Sequence, residues 1–153
     1  MAKVIKPNQL ASALSDIVNK HKDVTKDKLN KALRISTIKV WGDIIKLTPV
    51  DSGRARGNWF VGLNVTDDTS GKNKNKGPSY VAKELPKDLT KQKIFLFNNL
   101  PYIEKLEFGG YGNKDTEKTN AQGFSKLAPK GFVRVSLLKC GSTLRKAFKS
   151  VGG

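Results

Sequence analysis

Thr48-Pro-Val-Asp-Ser-Gly-Arg-Ala-Arg-Gly-Asn-Trp59 is where the chain changes character. Before it, apolar residues recur at helical spacing; after it, they alternate as in a strand. A proline and two glycines punctuate the switch, with an acid and two arginines inside. Asp51 and Ser52 can bond to backbone N–H groups two residues on and fix a turn. Gly53 permits a positive φ there. Arg54 and Arg56 share a side if this piece is extended and diverge if it forms one helical turn. Asp51 either pairs with one of these arginines and staples the turn, or serves an interface. No partner base, nucleophile or ligand set accompanies it, which argues against catalysis.

Working back from the joint, Pro49 stops a long helical pattern, since the residue before a proline avoids the α region. Asp23 or Thr25 can cap that helix. Leu29, Leu33, Val40, Ile44 and Leu47 form its stripe, and Ala32, Ile35, Ile38, Trp41 and Ile45 widen it. Such a broad surface reads either as that of a central core helix or as that of a helix part of which is a subunit interface. Gly42 costs about 1 kcal/mol there relative to alanine, and either permits close packing or is merely tolerated. A separate short helix is predicted further back, opened by Pro7 and carried by Leu10, Leu14, Ile17 and Val18. His21 and Lys22 suit the negative end of that helix. Residues 1–6 read as a loose arm.

Working forward, Asn58–Val65 alternates, with Trp59, Val61, Leu63 and Val65 on one face. Residues 67–78 contain no apolar side chain, many turn formers and three lysines, and read as a mobile loop. Tyr80–Leu89 is ambiguous, although Pro86 argues against a central strand. Lys93–Asn98 is a strand whose Ile94, Phe95, Leu96 and Phe97 predict cover on both faces. Ile103, Leu106 and Phe108 make one or two helical turns ended by Gly109-Gly110. Glu104 and Glu107 read as a solvated acidic pair on that helix. A second polar, mobile loop is expected over 111–125, then a turn at Ala128–Arg134. A C-terminal helix follows, marked by Val133, Leu137, Leu144, Phe148 and Val151, with Gly141 weakening its middle. The expected architecture is α+β and a single domain over 1–153. It has N-terminal helices including one long central helix, a small mostly antiparallel sheet and a C-terminal helix.

Composition bounds the chemistry. The 153 residues carry 29 Lys and Arg against 13 Asp and Glu, a net charge of +16. This points to a polyanionic neighbour: nucleic acid, an acidic membrane or an acidic protein surface. Cys140 and His21 are the single cysteine and histidine, so a disulfide within the chain is excluded and a Cys/His zinc site nearly so. Cys140 reads as a buried or inert thiol. The motifs of phosphate loops, dinucleotide folds, zinc proteases and serine nucleophiles are absent, and no cofactor or enzymatic activity is expected. No apolar run approaches the roughly 20 residues of a membrane span. The reading is a soluble protein made in a reducing cytoplasm, with no membrane partner.

Three segments then carry a resemblance. They are Thr48–Trp59, Pro101–Gly109 (Pro-Tyr-Ile-Glu-Lys-Leu-Glu-Phe-Gly) and Ala128–Arg134 (Ala-Pro-Lys-Gly-Phe-Val-Arg). In this order and spacing they resemble the neck or tail-completion family of long-tailed bacteriophages, head–tail joining or minor tail components. The resemblance covers roughly residues 20–150. It implies a small α+β virion protein, made in the bacterial host cytoplasm and assembled as a homo-oligomeric ring, a hexamer or dodecamer, at the head–tail junction. There it would join tail to capsid and continue the DNA channel. Its implied neighbours are head-completion or stopper proteins and tail-terminator or tail-tube proteins. Its implied turn and interface residues are Asp51, Gly53, Arg54, Arg56, Trp59, Tyr102, Glu107, Gly109, Pro129 and Gly131. Lys72, Lys74, Lys76, Lys114 and Lys118, in the polar loops, read either as a solvated surface or, in such a ring, as contacts to packaged DNA or a neighbouring protein. Two alternatives stand beside this: a tail-terminator ring protein, and a nucleic-acid-binding protein without sequence specificity. Against the second, aromatic residues are not interleaved with the basic runs.

Overall fold

The computed structural model describes residues 7–63, 76–91, 93–110 and 116–152, with side chains from residue 25 onward. Its elements run α1 (Pro7–Leu47), α2 (Arg54–Gly57), β1 (Trp59–Leu63), α3 (Pro78–Glu84), β2 (Ile94–Asn98), α4 (Ile103–Phe108), α5 (Val133–Leu137) and α6 (Cys140–Ser150). The class is α+β, as the sequence predicts.

The N-terminal part is one helix of 41 residues, not two. Asp23 and Thr25 are good caps, but a cap starts a helix only where something else has ended the previous one. No glycine or proline lies between Asn8 and Trp41 to do so. At about 1.5 Å per residue α1 is about 60 Å long. Among the described residues no helix is long and apolar enough to cross a membrane.

The core gathers on the C-terminal half of α1. Val40, Ile44 and Ile45 meet Trp59, Val81, Leu85, Leu100, Leu106 and Phe132, and Phe132, Ile45 and Val81 are fully buried. The apolar surface of α1 exceeds what this cluster covers, leaving Ile35 and Leu47 nearly half exposed. α3, α5 and α6 pack along α1. Gly42 proves to be a close-packing site: a Cβ there would stand 2.5 Å from Cγ of Pro78, the first residue of α3. Arg34 fixes the other end of α3, donating to the carbonyls of Ala82 at 2.6 Å and Pro86 at 2.9 Å. Asn30 holds the following turn, donating to Lys87 O and accepting from Leu89 N–H. The ambiguous Tyr80–Leu89 stretch is thus a short helix and a turn.

The sheet has two antiparallel strands, pairing Trp59 with Asn98 through Leu63 with Ile94. Val61, Ile94 and Leu96 pack on the core. On the other face the rings of Phe60 and Phe97 stack at 5.7 Å, and Phe95 is exposed. Cover on both faces of β2, expected from its four consecutive apolar residues, is therefore not complete.

The C-terminal helical pattern is split. Lys139 N–H bonds to Ser136 O, three residues back, which tightens the chain between α5 and α6. Cys140 opens α6 and is exposed, not buried. Of the two polar loops, 67–75 and 111–115 lie outside the described residues, as does Val65. Residues 116–125, expected to be mobile, form a hydrogen-bonded turn. In it Asn120 Oδ1 accepts from Gln122 N–H and Phe124 N–H, and Thr119 bridges Ser125.

Candidate functional site

The joint is built from both of its ends. Thr48, fully buried, donates its hydroxyl to Ile44 O at 2.8 Å and accepts the indole N–H of Trp59 at 2.9 Å. The last turn of α1 is thereby tied to the first residue of β1. Between them Gly53 takes φ 81° and α2 forms a single turn. The two arginines consequently diverge. Arg56 turns back and donates to Lys46 O at 2.6 Å and Thr48 O at 3.2 Å, satisfying carbonyls that the end of α1 leaves open. Arg54 is exposed. Asp51 pairs with neither arginine; its carboxylate meets Lys118 Nζ at 3.2 Å across the surface. Ser52 Oγ accepts from Arg54 N–H, as the turn reading expects. Asn98, at the end of β2, donates to Ala55 O and fastens α2 to the sheet.

Glu107 ties the second of the three segments to the third. The acidic pair splits: Glu104 is exposed, while Glu107 is 5% exposed and not part of a solvated face. Its carboxylate accepts the backbone N–H groups of Phe132 (2.7 Å), Val133 (2.9 Å) and Arg134 (3.0 Å), capping the start of α5, and also accepts from Arg134 Nε at 3.0 Å. Burial by itself would raise the carboxyl pKa. The three N–H groups and the guanidinium outweigh it and hold the group below its ordinary value. Gly131 makes this approach possible. It has φ 79°, and a Cβ there would fall 2.6 Å from Glu107 O. Pro129 lies in the same turn. Gly109 ends α4 with φ 77° beneath the ring of Phe124. Trp59 then meets Phe132 edge-on, ring centroids 6.3 Å apart. Every one of the three segments thus contacts another.

An open groove of about 1070 Å³ lies over this junction. Its floor includes Tyr102 and Leu106, one wall is the turn from Pro49 to Ala55, and the other runs through Lys118 and Leu127. Val50 and Leu127 leave apolar surface exposed at its rim.

The loop lysines divide. Lys72, Lys74 and Lys114 lie outside the described residues. Lys118 is engaged with Asp51. Lys76 is turned inward, 8% exposed, which corrects both expectations, that it is solvated or that it faces DNA or a neighbour. Its ammonium donates to Trp59 O at 2.7 Å and sits 3.7 Å from the centre of the Phe60 ring and 4.6 Å from that of Tyr80. Burial lowers its pKa, with Glu84 opposing. Tyr80 is raised by burial, against a hydrogen bond with the Val61 backbone. These contacts block the outer edge of β1 with side chains. The register that points the backbone groups of Trp59 and Val61 to the outer edge of β1 also points those of Ile94 and Leu96 to the outer edge of β2. No described residue bonds their backbone groups there.

Thr48, Arg34, Asn30 and Asn98 carry much of this geometry; the sequence marks Thr48 and Asn98 only as the start of the joint and the end of a strand, and Arg34 and Asn30 not at all. Among the described residues no group of three or more His, Cys, Asp or Glu side chains stands together as a metal site. No family model, no curated protein and no solved structure matches this chain.

Proposed function

We propose that this chain is a structural virion protein of a tailed bacteriophage. It forms a homo-oligomeric ring at the head–tail junction, joins tail to capsid and continues the DNA channel. The observation that carries the reading is the convergence of the three segments on which the resemblance rests. Trp59 of the first packs on Phe132 of the third, and Glu107 of the second caps the third. Segments far apart in sequence that build one junction are what a family signature of a shared fold requires.

Two further features favour self-association. Apolar side chains stay exposed at Ile35, Leu47, Phe95 and Leu138, the kind of surface that symmetric oligomers cover. The sheet also has one edge blocked by Lys76 and Tyr80, and at Leu96 an edge that no described residue bonds. That asymmetry suits head-to-tail closure of a ring, in which each subunit offers two different surfaces. The proposed role is mechanical, with no catalysis and no cofactor. Head-completion or stopper proteins would lie on one side and tail-terminator or tail-tube proteins on the other. A tail-terminator ring is the nearest alternative.

Immunogold labelling of virions with antiserum to this chain tests the proposal. Gold at the head–tail junction supports it; gold at the distal tail tip, or none on the virion, refutes it.

A further inference from the structure

We infer that the outward face of α6 binds the phosphate backbone of duplex DNA without reading its sequence. The inference rests on the channel reading for its setting and replaces the polar loops as the principal DNA-facing surface. The 36 residues from Lys118 to Gly153 contain eight lysines and arginines and no aspartate or glutamate. That segment supplies half of the net charge of +16.

The fold concentrates this charge. Ala147 is buried and Leu144 and Phe148 are half-buried where α6 packs on α1. At 3.6 residues per turn, Lys139, Arg145, Lys146 and Lys149 fall on the opposite side, and all four are exposed. From Lys139 to Lys149 the face runs about 15 Å at 1.5 Å per residue. Among the described residues no carboxylate forms an ion pair with any of these four. The loop cations that can be compared are committed elsewhere: Lys76 inside the protein and Lys118 to Asp51.

Chemistry favours a phosphate backbone over an acidic protein. A stable protein interface is centred on desolvated apolar or aromatic anchors. This face has none between Lys139 and Lys149; the exposed Leu138 lies at its margin. Long cations on one helix face, with no ion pair among the described residues, match the closely spaced charges of DNA, and their contacts carry no base information.

The test is fluorescence anisotropy with the full chain, a labelled 30-bp duplex and salt varied from about 50 to 300 mM, a range over which phosphate contacts weaken strongly. The triple variant R145Q/K146Q/K149Q is compared with K72Q/K74Q/K114Q, which removes the same charge from the loops; thermal melts verify that both remain folded. The face variant is expected to lose at least tenfold in affinity, and its log–log salt slope to fall by about 2.7, which is 0.9 for each of three phosphates. The loop variant is expected to lose less than threefold. The inference is overturned if wild type does not bind the duplex at the lowest salt, or if the face variant binds like wild type. It is also overturned if the loop variant loses as much as the face variant. Binding of poly-glutamate in place of duplex would assign the face to an acidic protein instead. None of these outcomes depends on where antiserum labels the virion, so this inference and the ring proposal can fail separately.

Discussion

Glu107 and Arg134, 27 residues apart, close a ring of hydrogen bonds: the Glu107 carboxylate accepts from the backbone N–H and Nε of Arg134, and Arg134 Nη2 returns to Glu107 O at 2.8 Å. Arg134 also lies over the ring of Phe108, 4.7 Å from its centre. A buried carboxylate is costly unless it is fully engaged, and here each nearby donor is used. The contact holds α4 to the start of α5 and sets the position at which Phe132 meets Trp59.

Replacing Glu107 with Gln keeps the shape and removes the charge. We expect a loss of about 2 kcal/mol at neutral pH, or about 4–8 °C in melting temperature for a chain of this size. The pH dependence has a definite sign. The folded-state pKa of Glu107 is depressed, so its contribution is complete above the ordinary carboxylate pKa of about 4.3 and fades as pH falls through the lower folded value. Denaturant melts of wild type and E107Q from pH 7 to 3 should show a gap that narrows below about pH 4.3. A gap constant over that range would contradict the assignment.

Gly131→Ala is expected to be among the most damaging small substitutions. It combines a positive φ with a Cβ 2.6 Å from Glu107 O, and backbone cannot yield as a flexible side chain can. Gly42→Ala is the informative contrast. Helix propensity favours alanine there by about 1 kcal/mol, yet the new Cβ would meet Pro78 Cγ at 2.5 Å. We expect net destabilisation, partly relieved by adding Pro78→Ala. Additive effects in a double-mutant cycle would show that the two sites do not touch.

Arg54 and Arg56 separate assembly from folding. Arg56→Glu places an anion against the open carbonyls of α1 at Lys46 and Thr48, and should lower stability by about 2 kcal/mol or more. Arg54→Glu is expected to leave the melting temperature within about 1–2 °C, since surface changes away from such contacts stay near 0.5 kcal/mol. Light scattering on each variant then tests whether the proposed ring depends on either arginine. Equal stability of the two variants would remove Arg56 from its capping role.

Cys140 should react with a maleimide or disulfide reagent in the native protein, without denaturant, because it is exposed at the start of α6. Reaction only after unfolding would show that this end of α6 is covered.

The fold class and the place of the joint were legible because Pro49, Gly53 and the change of period at Trp59 are local signals. The single α1 was not, since the residues at Asp23 and Thr25 mark a possible start but cannot force a stop. The burial of Glu107 was invisible for a different reason. An acid on a short helix looks solvated until the partner segment, 25 residues on, presents its N–H groups. Lys76 misled likewise: a lysine in a polar run is ordinarily exposed, and only the packing of α3 beside the sheet places Tyr80 and Phe60 around it. Contacts at long sequence separation, such as Arg34 with Ala82, leave no periodicity to read.

Electron microscopy of a lysate of the phage lacking this gene tests the head–tail assignment most directly. The account predicts filled heads and finished tails lying unjoined, or tails with defective upper ends. Normal, infectious particles would contradict it and take the protein out of virion assembly.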